Sequence, residues 1–104
     1  MTVVEYHPEE FRMNITGHAE FAVPGEDIVC AGLSMLMATL VAATTEEPEY
    51  QTSVYINHDT AEVDIQSDPH VGYEDTCLAV YNTIYLGYRT AEESYPDHVK
   101  VTGG

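Results

Sequence analysis

Positive charge is what this chain has least of. Arg12, Arg89 and Lys100 are its only Lys and Arg residues, against 18 Asp and Glu among 104 residues, so the formal net charge is −15. Binding to duplex nucleic acid rests on Lys and Arg neutralising phosphates, and three such residues are too few for a direct nucleic-acid partner. The same deficit argues against adsorption to anionic lipid. Tryptophan is absent and there are two cysteines, Cys30 and Cys77. Small secreted domains that need covalent staples usually carry about four or more cysteines, so free thiols in a reducing compartment are expected. No basic segment followed by an apolar stretch and cleavage site opens the chain, so no signal peptide is expected and the cytosol is the expected location. No Walker A or dinucleotide glycine motif occurs, and no nucleotide or other cofactor is expected.

What is present suits one packed domain over residues 1–104. The apolar fraction is 44%, too high for an acidic disordered chain. Thr2 to His7 is β-branched and aromatic, which reads as a strand. After Pro8-Glu9-Glu10, the alternation of Phe11, Met13 and Ile15 with Arg12, Asn14 and Thr16 reads as a second, half-buried strand. Two more strands, 52–57 and 61–66, flank a turn at Asn57-His58-Asp59-Thr60. A helix over about 73–93 places Cys77, Tyr81, Ile84 and Tyr88 on one side, with Leu78 and Tyr85 beside them. A last strand runs over about 98–102. The expected fold is α+β, in the order β-β-α-β-β-α-β, with an antiparallel sheet packed against two helices.

The longest apolar run is Ile28 to Thr45, 18 residues without a charge. That length meets the threshold for a membrane span. Gly32, Ser34, three threonines and four alanines dilute it, and its flanks are acidic rather than basic. A buried helix is therefore expected, apolar on nearly every face. One sheet can cover one side, so a homodimer is expected to cover much of the other. Membrane is not an expected partner.

Asp27 would cap this helix and place Cys30 in its first turn. Thiolate is the reactive form of cysteine, and helix-end N–H groups with the macrodipole stabilise an anion there. His18, twelve residues earlier, could take the thiol proton. Gly17 would allow close approach of another backbone, and the loop at Pro24-Gly25 would link the two elements. Spacing alone does not establish such a pair. On that ground Cys30 reads better as a small core residue and His18 as a strand end.

The surrounding motif adds to this. Gly17-His18-Ala19, followed by Gly25, Asp27-Ile28-Val29-Cys30-Ala31 and Ser34, resembles the signature of the ribosomal-processing cysteine protease family, Prp. Tyr95-Pro96 with His98-Val99 resembles that family's last strand, and the similarity in element order runs along essentially the whole chain. The resemblance implies a small homodimeric α+β fold. It implies cleavage of a short N-terminal extension from a large-subunit ribosomal protein, or of capsid or scaffold precursors by phage-encoded members. It implies His18 as base and Cys30 as nucleophile acting on a peptide segment of a protein precursor. Gly32-Leu33 stands where members often have Ala-Val, and Glu20 where a small residue is common.

Supporting residues keep two readings each. Asp27 either caps the helix or orients His18. Ser34, one turn after Cys30, either lines the pocket or bonds back to its own helix. Cys77 reads as core. His18 with Glu20, His58-Asp59 and Asp68-Pro69-His70 offer metal donors, but none has zincin or CxxC spacing, so no metal site is expected. Tyr50, Tyr73 and Tyr95 flank loops and could edge a peptide groove. The charge keeps a second function open, a non-catalytic acidic protein that captures a basic partner or mimics nucleic acid.

Overall fold

The computed structural model describes residues 1–17 and 27–104, and of Asp27 the backbone only. Five strands form one sheet. β1 (Thr2–His7) and β2 (Arg12–Thr16) are joined by a 3-10 turn at Pro8–Glu10. Helix α1 (Asp27–Thr45) follows, then β3 (Ser53–Asn57), β4 (Glu62–Gln66), helix α2 (Glu74–Ser94) and β5 (Val99–Gly103).

The sheet order is β3-β4-β2-β1-β5. Three of its pairings are antiparallel, but β5 runs parallel to β1, with Thr2 opposite Val99 and Val4 opposite Val101. The sheet is therefore mixed, which corrects the antiparallel expectation. The reason is chain direction. Since β1 and β4 are both antiparallel to β2, they share a direction. Helix α2 carries the chain back from the end of β4, and β5 starts again in that same direction beside β1.

Helix α2 takes its shape from simple rules. The first turn of α2 holds Glu74 and Asp75, acidic groups that suit the positive end of the helix. Tyr95-Pro96 ends it, because the residue before proline disfavours helical geometry. On α2, Cys77, Tyr81, Ile84 and Tyr88 are the buried residues, at spacings of four, three and four. They meet Val4, Tyr6, Met13, Ile15 and Ile65 from the sheet. The Tyr88 hydroxyl donates to the Leu33 carbonyl at 3.0 Å, tying α2 to α1. Other hydroxyls form a chain: Tyr81 with Ser67 at 2.8 Å, Ser67 with Thr52 at 2.7 Å, and Thr52 to the Thr44 carbonyl at 3.1 Å.

Helix α1 is buried along one side only. Val29, Leu33, Leu40 and Thr44 face the core. Ile28, Ala31, Gly32, Met35, Ala38, Thr39 and Ala42 are exposed, with Ile28 at 70% and Met35 at 64%. The exposed positions recur every three or four residues, so they form one uncharged stripe. The Thr39 hydroxyl is already bonded to the Met35 carbonyl at 2.7 Å and adds little polarity to it. Ile28–Thr45 is long and apolar enough to cross a membrane by length and composition, with a mean hydropathy of 1.9. This helix packs against α2 and contributes Val29, Leu33 and Leu40 to the core.

Candidate active site

A cavity of about 290 Å³ opens between the first half of α1 and the sheet. Cys30, Leu33, Ser34 and Met37 form its helix wall. Their spacing of three or four places them on one side of α1. Ile15, Ile56 and Val63 form its sheet wall. These are alternate, inward-facing positions on β2, β3 and β4. The cavity is thus greasy at its base, with the Cys30 thiol half-buried at one wall.

The candidate residues fall out as follows. Helix α1 spans Asp27–Thr45, so Cys30 lies in its first turn. The Asp27 side chain and His18 lie outside the described residues, as do Glu20 and the Pro24-Gly25 loop. Cys30, Gly17 and Ser34 are brought together around the one cavity. Gly17 has φ 86°, the left-handed region that suits glycine, and a Cβ there would overlap the Met1 carbonyl oxygen. The close backbone approach expected of Gly17 is real.

Two features escaped the sequence. His58, from the β3–β4 turn, lines the same cavity. The Asn57 side-chain oxygen accepts from the N–H groups of Asp59 at 3.0 Å and Thr60 at 3.3 Å, which holds that turn in shape. Sequence spacing gave no sign of this, because His58 and Cys30 come to share a cavity only through the sheet. The second feature is His7 with Glu9 and Glu10, whose donor atoms lie within 4.8 Å of one another on the surface. The signal was the His7-Pro8-Glu9-Glu10 turn itself. The metal donors weighed from the sequence are arranged otherwise: His70 pairs with Glu49 at 2.5 Å, and His58 faces the cavity.

Tyr50 is buried and meets Tyr73 edge-on at 6.4 Å between ring centres. Tyr50, Tyr73 and Tyr95 are not among the residues that line the Cys30 cavity. Cys77 is wholly buried, and desolvation pushes its thiol pKa up, which suits an inert core residue.

A family model described as cysteine protease Prp matches residues 1–100. No curated protein matches the chain. Among solved structures, the chain is similar to the essential ribosomal processing protease Prp from S. aureus in complex with a covalently linked product peptide. The TM-score is 0.79 at 23% identity, covering 98% of each chain. The same S. aureus protease with a substrate peptide gives a TM-score of 0.75 at 20% identity, covering 97% of this chain and 95% of that one. SMU.848 from Streptococcus mutans gives 0.73 at 20% identity, covering 97% and 90%.

Proposed function

This chain belongs to the cysteine protease Prp family, and from that premise we propose that it is an endopeptidase whose nucleophile is Cys30 and whose base is His18. The observation that carries this reading is the half-buried Cys30 thiol in the first turn of α1, at the wall of a cavity large enough for side chains of a bound peptide. His18 takes the thiol proton, and the thiolate attacks the scissile carbonyl. Main-chain N–H groups at the start of α1 stabilise the oxyanion. The proton passes from His18 to the leaving amine as the C–N bond breaks, and water then hydrolyses the thioester. Asp27 caps α1 or orients His18, and Ser34 lines the site one turn along.

The substrate we infer is a short N-terminal extension of a large-subunit ribosomal protein, or a phage structural precursor. The charge of −15 suits recruitment of a basic precursor by long-range attraction. A homodimer in the cytosol completes the reading, with the uncharged stripe of α1 as the contact. The deciding experiment incubates wild type and Cys30→Ala with the unprocessed ribosomal protein and with phage capsid and scaffold precursors. Cleavage of one of them by wild type alone is expected. Equal cleavage by both proteins, or by neither, rejects the reading.

A further inference from the structure

The main-chain direction at the rim of the cavity can be worked out residue by residue. Gly17 N–H donates to the Ala61 carbonyl at 3.0 Å, and Ser67 N–H donates to the Phe11 carbonyl at 2.9 Å. Both bonds run between the β4 strand line and the β2 strand line. Along a strand, the N–H and C=O of successive residues point to opposite neighbours. Ala61, Val63, Ile65 and Ser67 therefore address β2, and Glu62, Asp64 and Gln66 address β3. Their partners are Asn57, Tyr55 and Ser53. Val54 and Ile56 are left with their N–H and C=O pointing away from the sheet.

The two edges of the sheet differ in how they are finished. At β5, the Glu92 carboxylate accepts from the Val101 N–H at 2.8 Å and the Tyr85 hydroxyl donates to the Gly103 carbonyl at 3.2 Å. Helix α2 thus blunts that edge with its own side chains, as sheet edges generally require. At β3, among the described residues, neither Val54 nor Ile56 has a partner on the outer side, and no strand lies beyond it. The open edge is also the one that meets the site. Ile56 is 52% exposed, and its side chain lines the Cys30 cavity.

We propose that the substrate's main chain adds to the outer edge of β3, with alternate residues bonded to Val54 and Ile56, and so enters the Cys30 cavity. This rests on the endopeptidase reading and names how its substrate is held. Strand addition takes affinity from main-chain bonds and leaves specificity to alternate side chains. The peptide's inward side chains then share the face of Val54 and Ile56, and one of them drops into the greasy base formed by Leu33, Met37 and Val63.

The test uses the peptide that wild type cleaves fastest from a randomised peptide library, bound to isotope-labelled Cys30→Ala. At saturation the Val54 and Ile56 amides are expected to exchange at least about tenfold more slowly with solvent, while the Tyr55 amide, already bonded to β4, stays unchanged. In a scan of that peptide with single N-methyl groups, affinity is expected to fall about tenfold at two positions two residues apart. Unchanged exchange at Val54 and Ile56 in the saturated complex overturns the inference and leaves the endopeptidase reading standing. Protection already present in the free protein and rising with its concentration assigns the edge to a second copy and also overturns it. If wild type cleaves no library peptide that Cys30→Ala leaves intact, both readings fall together.

Discussion

The N–H of Gly17 and the carbonyl of Ala61 meet at 3.0 Å, joining the residue before His18 to the base of the turn that carries His58. One bond therefore ties together the two arms that border the Cys30 cavity. Gly17 sits at φ 86° against the Met1 carbonyl, so this junction has no room for a side chain. Gly17→Ala is expected to lower stability by at least roughly 1–3 kcal/mol, the usual cost of a forced left-handed residue. Its cleavage rate should fall further than its stability explains, because the cavity wall shifts. Denaturant melts beside single-turnover cleavage check this, and a Gly17→Ala protein as stable and active as wild type would refute it.

The two thiols should report their surroundings to an alkylating agent. Cys30 is half-buried beside an open cavity, whereas Cys77 is wholly buried with its pKa raised by desolvation. Iodoacetamide at neutral pH is expected to modify Cys30 at least about tenfold faster than Cys77, and both equally in denaturant. Peptide mapping over time measures the two rates. Modification of Cys77 at the Cys30 rate in folded protein would contradict the burial of α2's inner face.

In the proposed homodimer the contact is the uncharged stripe of helix α1. Met35, 64% exposed, sits in the middle of that stripe. Met35→Glu should leave the fold of one chain within about 0.5 kcal/mol, as surface substitutions do. It should nevertheless dissociate the proposed homodimer, since a charge would be buried without a partner. Sedimentation velocity reads the outcome. Salt gives a second check with opposite signs. Two chains of −15 repel, so added salt should tighten the dimer, whereas it should weaken capture of a basic precursor.

Alkaline pH should unfold the protein through its tyrosines. Burial raises the pKa of Tyr6, Tyr81 and Tyr88, with Tyr6 reaching about 12 from an ordinary 10.0. Below pH 10 the phenols are protonated in both states and add no pH dependence. Above it the unfolded chain ionises first, so stability falls as pH rises towards the folded values. Each such tyrosine costs up to about 1.4 kcal/mol per pH unit in that window. Circular dichroism and phenolate absorbance, followed together, should therefore break near the same pH. Gradual phenolate formation with the fold intact would show these hydroxyls to be accessible.

Local pattern carried much of this protein. The stripe Cys77, Tyr81, Ile84 and Tyr88 was legible because a helix buries every third or fourth residue, whatever it packs against. The alternation of Met13 and Ile15 was legible for the matching reason in strands. The strained glycine before His18 and the place of Cys30 in the first turn of α1 follow from local backbone chemistry too. Tyr50 and α1 were not legible in the same way. Nothing local separates an aromatic at a groove from one in the core. A helix with no polar face carries no mark of which side the sheet will cover.

Sequence, then, settled most of which segments become helix or strand and singled out Cys30 as a candidate for thiol chemistry, because periodicity and backbone strain act over a few residues. Tertiary structure alone settled that β5 lies parallel to β1, that His58 reaches the Cys30 cavity, and that the β3 edge is open while the β5 edge is closed. Each of those is a relation between residues far apart in the chain. Crossover direction and sheet order create such relations, and no local preference encodes them.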